Sequence, residues 1–236
     1  MIPLHDDNPT TLRPVVTVAL IAACVAAFLW QLSLGQDGYR RAVYSLGFIP
    51  AVFFGERVLA PELAVVPPAL TLVTSMFLHG GLWHLLGNML YLWIFGNNVE
   101  DAMGHARFVA FYLLCGIAAA LGQGILDPGS TIPMIGASGA ISGVLGAYLL
   151  LYPHARVLVL IPLGFFSQLV RVPAVLVLGL WFLIQIVSSL AADPSRGGVA
   201  WFAHIGGFLA GMALIPFFKR RDVPLHNPLR APRRLR

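Results

Sequence analysis

Charge is what this chain has least of. Only 11% of its 236 residues are Asp, Glu, Lys or Arg, while 58% are hydrophobic and the mean hydropathy is +0.81. A soluble domain carries roughly twice that share of charge. So much apolar surface cannot be hidden in one core, so a lipid bilayer is the expected solvent and partner. Cysteine is scarce too. Cys24 and Cys115 both lie inside apolar runs, which excludes a disulfide framework and a CxxC metal pair and leaves packing as their role. Acids are missing from the middle of every long apolar run: Glu100, Asp101, Asp127 and Asp193 stand at the ends. No internal repeat and no low-complexity linker breaks the chain. One membrane domain over 15–218 is expected, between a short N-terminal segment (1–14) and a basic tail (219–236).

A span needs about 20 mostly apolar residues. Candidates fall near 15–34, 82–98, 107–126, 138–152, 172–192 and 201–218, the second and fourth being short. The fourth begins abruptly at a Gly-Ala-Ser-Gly stretch. A helix that starts inside the membrane has unpaired N–H groups, tolerated only beside protein or trapped water, so a cavity is expected there. Six spans put both termini on one side. Lys219, Arg220, Arg221, Arg230, Arg233, Arg234 and Arg236 crowd the last 18 residues. With Arg13, Arg107, Arg156 and Arg171 they place eleven of the fifteen basic residues inside, against Arg40, Arg41, Arg57 and Arg196 outside. The basic tail lacks the interleaved aromatics of a single-strand binder, so no nucleic acid is expected, and anionic lipid is the better partner. The first outer loop, about 35–80, is the longest. "VLVLIPLGFF" (157–166) is too short to span, contains Pro162 and is expected at the inner interface. The N-terminus reads poorly as a transit peptide, and with no appended soluble domain this favours a bacterial inner membrane.

Polar residues at membrane depth are costly and therefore functional candidates. They are Ser138, Ser142, His84, Asn88 and His204, with His79 just before the second span. His84 and Asn88, four apart, share a helix face. His79 and His84, five apart, point about 140° away from each other and would not chelate one metal from a regular helix. No metal is expected. Gly139–Gly143 and Gly207–Gly211 are two GxxxG steps, in the fourth and sixth candidate spans. If those spans pack on these faces, Ser138 and His204 come within hydrogen-bond reach, and a neighbouring histidine makes a serine a usable nucleophile. Taken singly, each feature has a plainer reading: Gly-Ala-Ser-Gly as a packing surface, His204 as a structural hydrogen-bonder, His79 and Ser142 as structural. Together they are harder to dismiss.

Three stretches, "HGGLWHLLGNMLYLWIFGNNVED" (79–101), "GASGAISGVLGAY" (136–148) and "AHIGGFLAG" (203–211), resemble the rhomboid family of intramembrane serine proteases, in the family's order. The resemblance implies an all-α membrane protein: a six-transmembrane-helix rhomboid-like bundle with a long first outer loop. It implies Ser138 as nucleophile and His204 as its general base. His84 and Asn88 become oxyanion donors, with the backbone N–H groups of Ser138 and Ala137. No cofactor is implied. The implied substrates are single-span membrane proteins, cut in or near their transmembrane segment. The family's Trp-Arg pair in the first outer loop is replaced here by Leu70 and Thr71. Ser142 stands where some members place an aromatic against the base, which leaves open what orients His204. An inactive client-binding relative and a transporter are the alternatives.

Overall fold

A computed structural model describes residues 1–163, 166–191 and 198–226. Arg196, Arg230, Arg233, Arg234 and Arg236, used above to orient the chain, and Asp193, placed above at the end of an apolar run, lie outside the described residues. The six apolar runs form helices: α1 (Val15–Ser33), α5 (Leu82–Met103), α6 (His105–Leu126), α7 (Ser138–Leu151), α8 (Ala174–Ala191) and α9 (Trp201–Phe218). Four of these, α1, α6, α8 and α9, are long and apolar enough to cross a bilayer unaided. α5 reaches that standard only together with the segment Pro68–Phe77, from which it bends by 84°. α7, with 14 residues, is about 21 Å long, short of a hydrocarbon core of about 30 Å. The described bundle therefore has four or five helices of spanning quality, and α7 stands inside it.

The segment expected as a long outer loop is folded. It carries α2 (Gly35–Leu46), α3 (Pro50–Phe53) and α4 (Thr71–Thr74), with 3-10 turns at Pro68–Leu70 and Ser75–Phe77. The all-α expectation needs a further correction. Ile2–Asp6 (β1), Arg156–Leu163 (β2) and Phe166–Pro173 (β3) form an antiparallel sheet in the order β1-β2-β3. The apolar run 157–166 thus supplies nearly all of β2 and the first residue of β3. Val157 and Val159 turn inward and are fully buried, so the stretch obeys a period of two. Pro162 lies beyond Leu160, the last residue paired with β1, where β2 has a free edge that tolerates a missing N–H.

α7 is the axis of the bundle, with nearly every residue from Gly139 to Tyr148 buried. Glycines make this possible. A Cβ on Gly207 would land on the Gly139 carbonyl oxygen, and one on Gly211 on the Gly143 carbonyl oxygen. α7 and α9 therefore touch backbone to backbone along both GxxxG steps. The same glycine face of α7 also meets α6, at Ala119 and Cys115.

Two buried carboxylates at the end of α5 fasten both ends of the bundle. Glu100 accepts the N–H of Val16 (2.9 Å) and of Thr17 (2.8 Å) and the Thr17 hydroxyl (2.7 Å), so it caps the start of α1 across the fold. A negative charge there also suits the helix dipole. Asp101 accepts from Thr11 and Leu12. Arg220, just past α9, reaches the same Asp101 oxygen at 3.9 Å and donates its N–H to the Ala102 carbonyl. The start of α1 and the end of α9 therefore meet at one place. Gly104, at φ +85°, turns the chain from α5 into α6 in a conformation side chains resist. Nearby, Asp6 accepts from the Tyr148 hydroxyl at 2.6 Å, and burial raises its carboxyl to about 6.

Candidate active site

Ser138 is the first residue of α7, and this first turn lines a cavity of about 920 Å³. Ser138, His204, His84 and Asn88 all line it. Their positions follow from the local structure. Gly136 adopts φ +127°, and the position a Cβ would take lies 2.8 Å from His84 Nε2, so a side chain there would be strained and would strike the imidazole. The loop is tied down where the Gly136 N–H donates to the Ser75 carbonyl at 2.9 Å. Ala137, wholly buried, caps the helix before Ser138.

Backbone contact between α7 and α9 brings the serine and the histidine together. Ser138 Oγ and His204 Nε2 are 2.8 Å apart, from residues 66 positions apart in sequence. The ring of His204 lies against Trp181 on α8 at 5.9 Å between centroids, tilted 34°, and edge-on to Trp201 at 6.2 Å.

His84 and Asn88 come from the first turns of α5. The Gly80 N–H donates to His84 Nδ1 at 3.2 Å. Nδ1 is therefore an acceptor, so in the neutral ring the proton sits on Nε2, the nitrogen beside Gly136. Asn88 is buried, and its Nδ2 has no hydrogen-bond partner among the described residues. A buried donor without an acceptor is uncommon and asks for an explanation. The arrangement thus offers a hydroxyl next to an imidazole, two side-chain donors and a helix N-terminus around one cavity.

His79 is buried and does not line the cavity, although its ring meets that of His84 edge-on at 5.2 Å between centroids. Its N–H donates to Gln31 Oε1, and its carbonyl receives the Gln31 amide and the Tyr39 hydroxyl. Ser142 Oγ donates to the Ser138 carbonyl at 2.7 Å, a local bond within α7. What touches the far side of His204 is a residue the sequence reading passed over: Gln185 of α8, with Oε1 2.8 Å from Nδ1. Its signal was a lone amide in an otherwise apolar run, as telling at that depth as an ionisable group.

A family model of the Rhomboid domain matches residues 68–221, well over half of the chain. The chain belongs to the rhomboid family. It is a mostly helical, multi-pass integral membrane protein. Among this rhomboid's relatives is Rhomboid protein 1, mitochondrial, of Saccharomyces cerevisiae, 30% identical over 183 residues, which are 74% of this chain and 49% of the relative. Rhomboid protease GluP of Bacillus subtilis is 35% identical over 143 residues, 61% of this chain and 25% of the relative. RHOMBOID-like protein 6, mitochondrial, of Arabidopsis thaliana is 31% identical over 146 residues, 61% of this chain and 41% of the relative. The rhomboid described here spans between a quarter and about half of the length of these proteins. Bacterial and mitochondrial members match alike, so the expectation of a bacterial inner membrane finds no support in its relatives.

Proposed function

We propose that this rhomboid is an intramembrane serine endopeptidase that cuts membrane proteins in or near a transmembrane segment. The observation that carries the reading is the 2.8 Å contact between Ser138 Oγ and His204 Nε2 at the wall of a cavity. The Ser138 hydroxyl attacks a peptide carbonyl while His204 Nε2 takes its proton, and the same imidazole then protonates the departing amine. The carbonyl oxygen gains negative charge as the tetrahedral intermediate forms. His84 Nε2–H, Asn88 Nδ2 and the backbone N–H groups of Ser138 and Ala137 are the donors that receive it. Such fixed donors are typically worth about 2.7–4 kcal/mol each. Water admitted to the cavity hydrolyses the acyl-enzyme, with His204 as base. The substrate must be extended to reach Ser138, so a single-span substrate helix unwinds at the cut, at lower cost where it holds helix-breaking residues.

A relative bearing the name of a protease supports the reading. We read the six helices as six passages with both termini cytoplasmic. The meeting of α1's start and α9's end at Asp101 supports termini on one side.

The test is cleavage of a single-span substrate by the purified protein, together with labelling by a fluorophosphonate. Ser138→Ala and His204→Ala should each abolish turnover, and the double variant should be no worse than either, because the pair acts as a unit. Turnover surviving in either single variant, or a parent that neither cuts nor labels at Ser138, leaves the client-binding alternative as the better reading.

A further inference from the structure

We propose that Gln185 is a positioning residue. It holds His204 in the tautomer whose Nε2 carries a lone pair, and aims that lone pair at Ser138. The proposal rests on the dyad reading above but is carried by a separate chain of hydrogen bonds. Gln185 sits near the middle of α8 and is 5% exposed. Its Nε2 donates to the Trp181 carbonyl at 3.0 Å. A carbonyl oxygen only accepts, so the amide nitrogen must face it, and Oε1 must be the atom that meets His204 Nδ1 at 2.8 Å. Oε1 also only accepts. Nδ1 therefore carries the proton, and in a neutral ring Nε2 is left bare toward Ser138 Oγ at 2.8 Å. Starting from one backbone carbonyl, each donor and acceptor in the row is determined by the one before it. With the other tautomer, the nitrogen facing Ser138 would be a donor and unable to take its proton.

No other described contact does this work. Ser142 turns its hydroxyl to the backbone of its own helix, and the Trp181 and Trp201 rings limit rotation of the imidazole but offer no acceptor to Nδ1. The amide is neutral. Unlike a carboxylate, it selects the tautomer without adding a charge to stabilise the imidazolium.

Two variants separate positioning from packing. Gln185→Leu keeps the apolar volume and removes both bonds. Its kcat should fall about tenfold to a hundredfold, the scale seen when a metal-bound imidazole loses the partner that orients it, while KM stays near the parent's. Gln185→Glu restores an acceptor for Nδ1–H, and its protonated form also supplies a donor for Trp181, so its kcat should return to within about threefold of the parent. Nitrogen-15 spectra of labelled His204 give a readout independent of cleavage: Nδ1–H in the parent and in Gln185→Glu, a mixture of tautomers in Gln185→Leu. A Gln185→Leu protein with the parent's kcat, a loss carried by KM alone, a Gln185→Glu protein as slow as Gln185→Leu, or a parent with the proton on Nε2 would overturn the proposal. A parent that fails to cut overturns the dyad reading instead, and the tautomer measurement still decides the role of Gln185.

Discussion

Asn88 is buried at the wall of the cavity, and its amide nitrogen has no partner among the described residues. A donor held in place by the fold gains most when the acceptor it meets becomes charged. In the proposed mechanism that acceptor is the oxyanion, which exists in the transition state and not in the bound substrate. Asn88→Ala should therefore lower kcat about a hundred- to a thousandfold and change KM much less. Residual turnover should stay measurable, since His84 and the backbone donors remain. Steady-state rates on one substrate, compared with Ser138→Ala, check this, and an Asn88→Ala protein with the parent's kcat would remove the residue from the site. At this scale the residues that line the candidate site were largely legible. Ser138, His204, His84 and Asn88 are polar atoms at a depth where each must have a reason. Gln185 was missed because its partner His204 lies 19 positions away on another helix, so no spacing within one helix joins the two as it joins His84 and Asn88.

Helices meet here through absent side chains. Gly211 touches the Gly143 carbonyl so closely that a Cβ has no room, and the obstacle is backbone, which cannot rotate away. Gly211→Ala must push α9 off α7, at a cost of about 1–3 kcal/mol. His204 rides on the same helix two turns earlier, so the retreat also loosens its contact with Ser138. Gly179 on α8 is a matched control, because nothing lies within 4 Å of the position its Cβ would take. Gly179→Ala should be neutral or stabilising by up to about 1 kcal/mol. Thermal unfolding in detergent with the rate of fluorophosphonate labelling tests both; equal effects would mean the α7–α9 contact does not govern the site. The candidate span 82–98 stopped short, since α5 continues through Glu100 and Asp101 to Met103. Most helix positions were readable to within about two residues, 15–34 against Val15–Ser33 and 172–192 against Ala174–Ala191, because long apolar runs leave little choice. The sheet was not. Its residues are apolar on both faces over much of β2, which hides the alternation that marks a strand, and β1 lies some 150 residues from its partner.

For the whole molecule, the fastening of both ends at Glu100 and Asp101 makes a prediction about sidedness. Glu62 lies exposed between α3 and α4, and Arg107 is exposed at the start of α6, on the side where the ends meet. Cys24 and Cys115 are wholly buried and should stay silent. In intact cells an impermeant maleimide should reach a cysteine placed at Glu62 and not one placed at Arg107, until the membrane is opened. The opposite pattern would reverse the orientation proposed from the basic residues.

The same fastening has a consequence in time. Val16 and its cap are 84 positions apart in the chain. A ribosome adding about 5–20 residues per second needs about 4 to 17 seconds to make that stretch. For that long, α1 is a finished helix whose first N–H groups have only water or lipid headgroups to bond. Its final seat does not exist until the end of α5 emerges. Assembly of these helices therefore cannot proceed strictly in chain order: α1 is made well before α5 and must wait for its end to be secured.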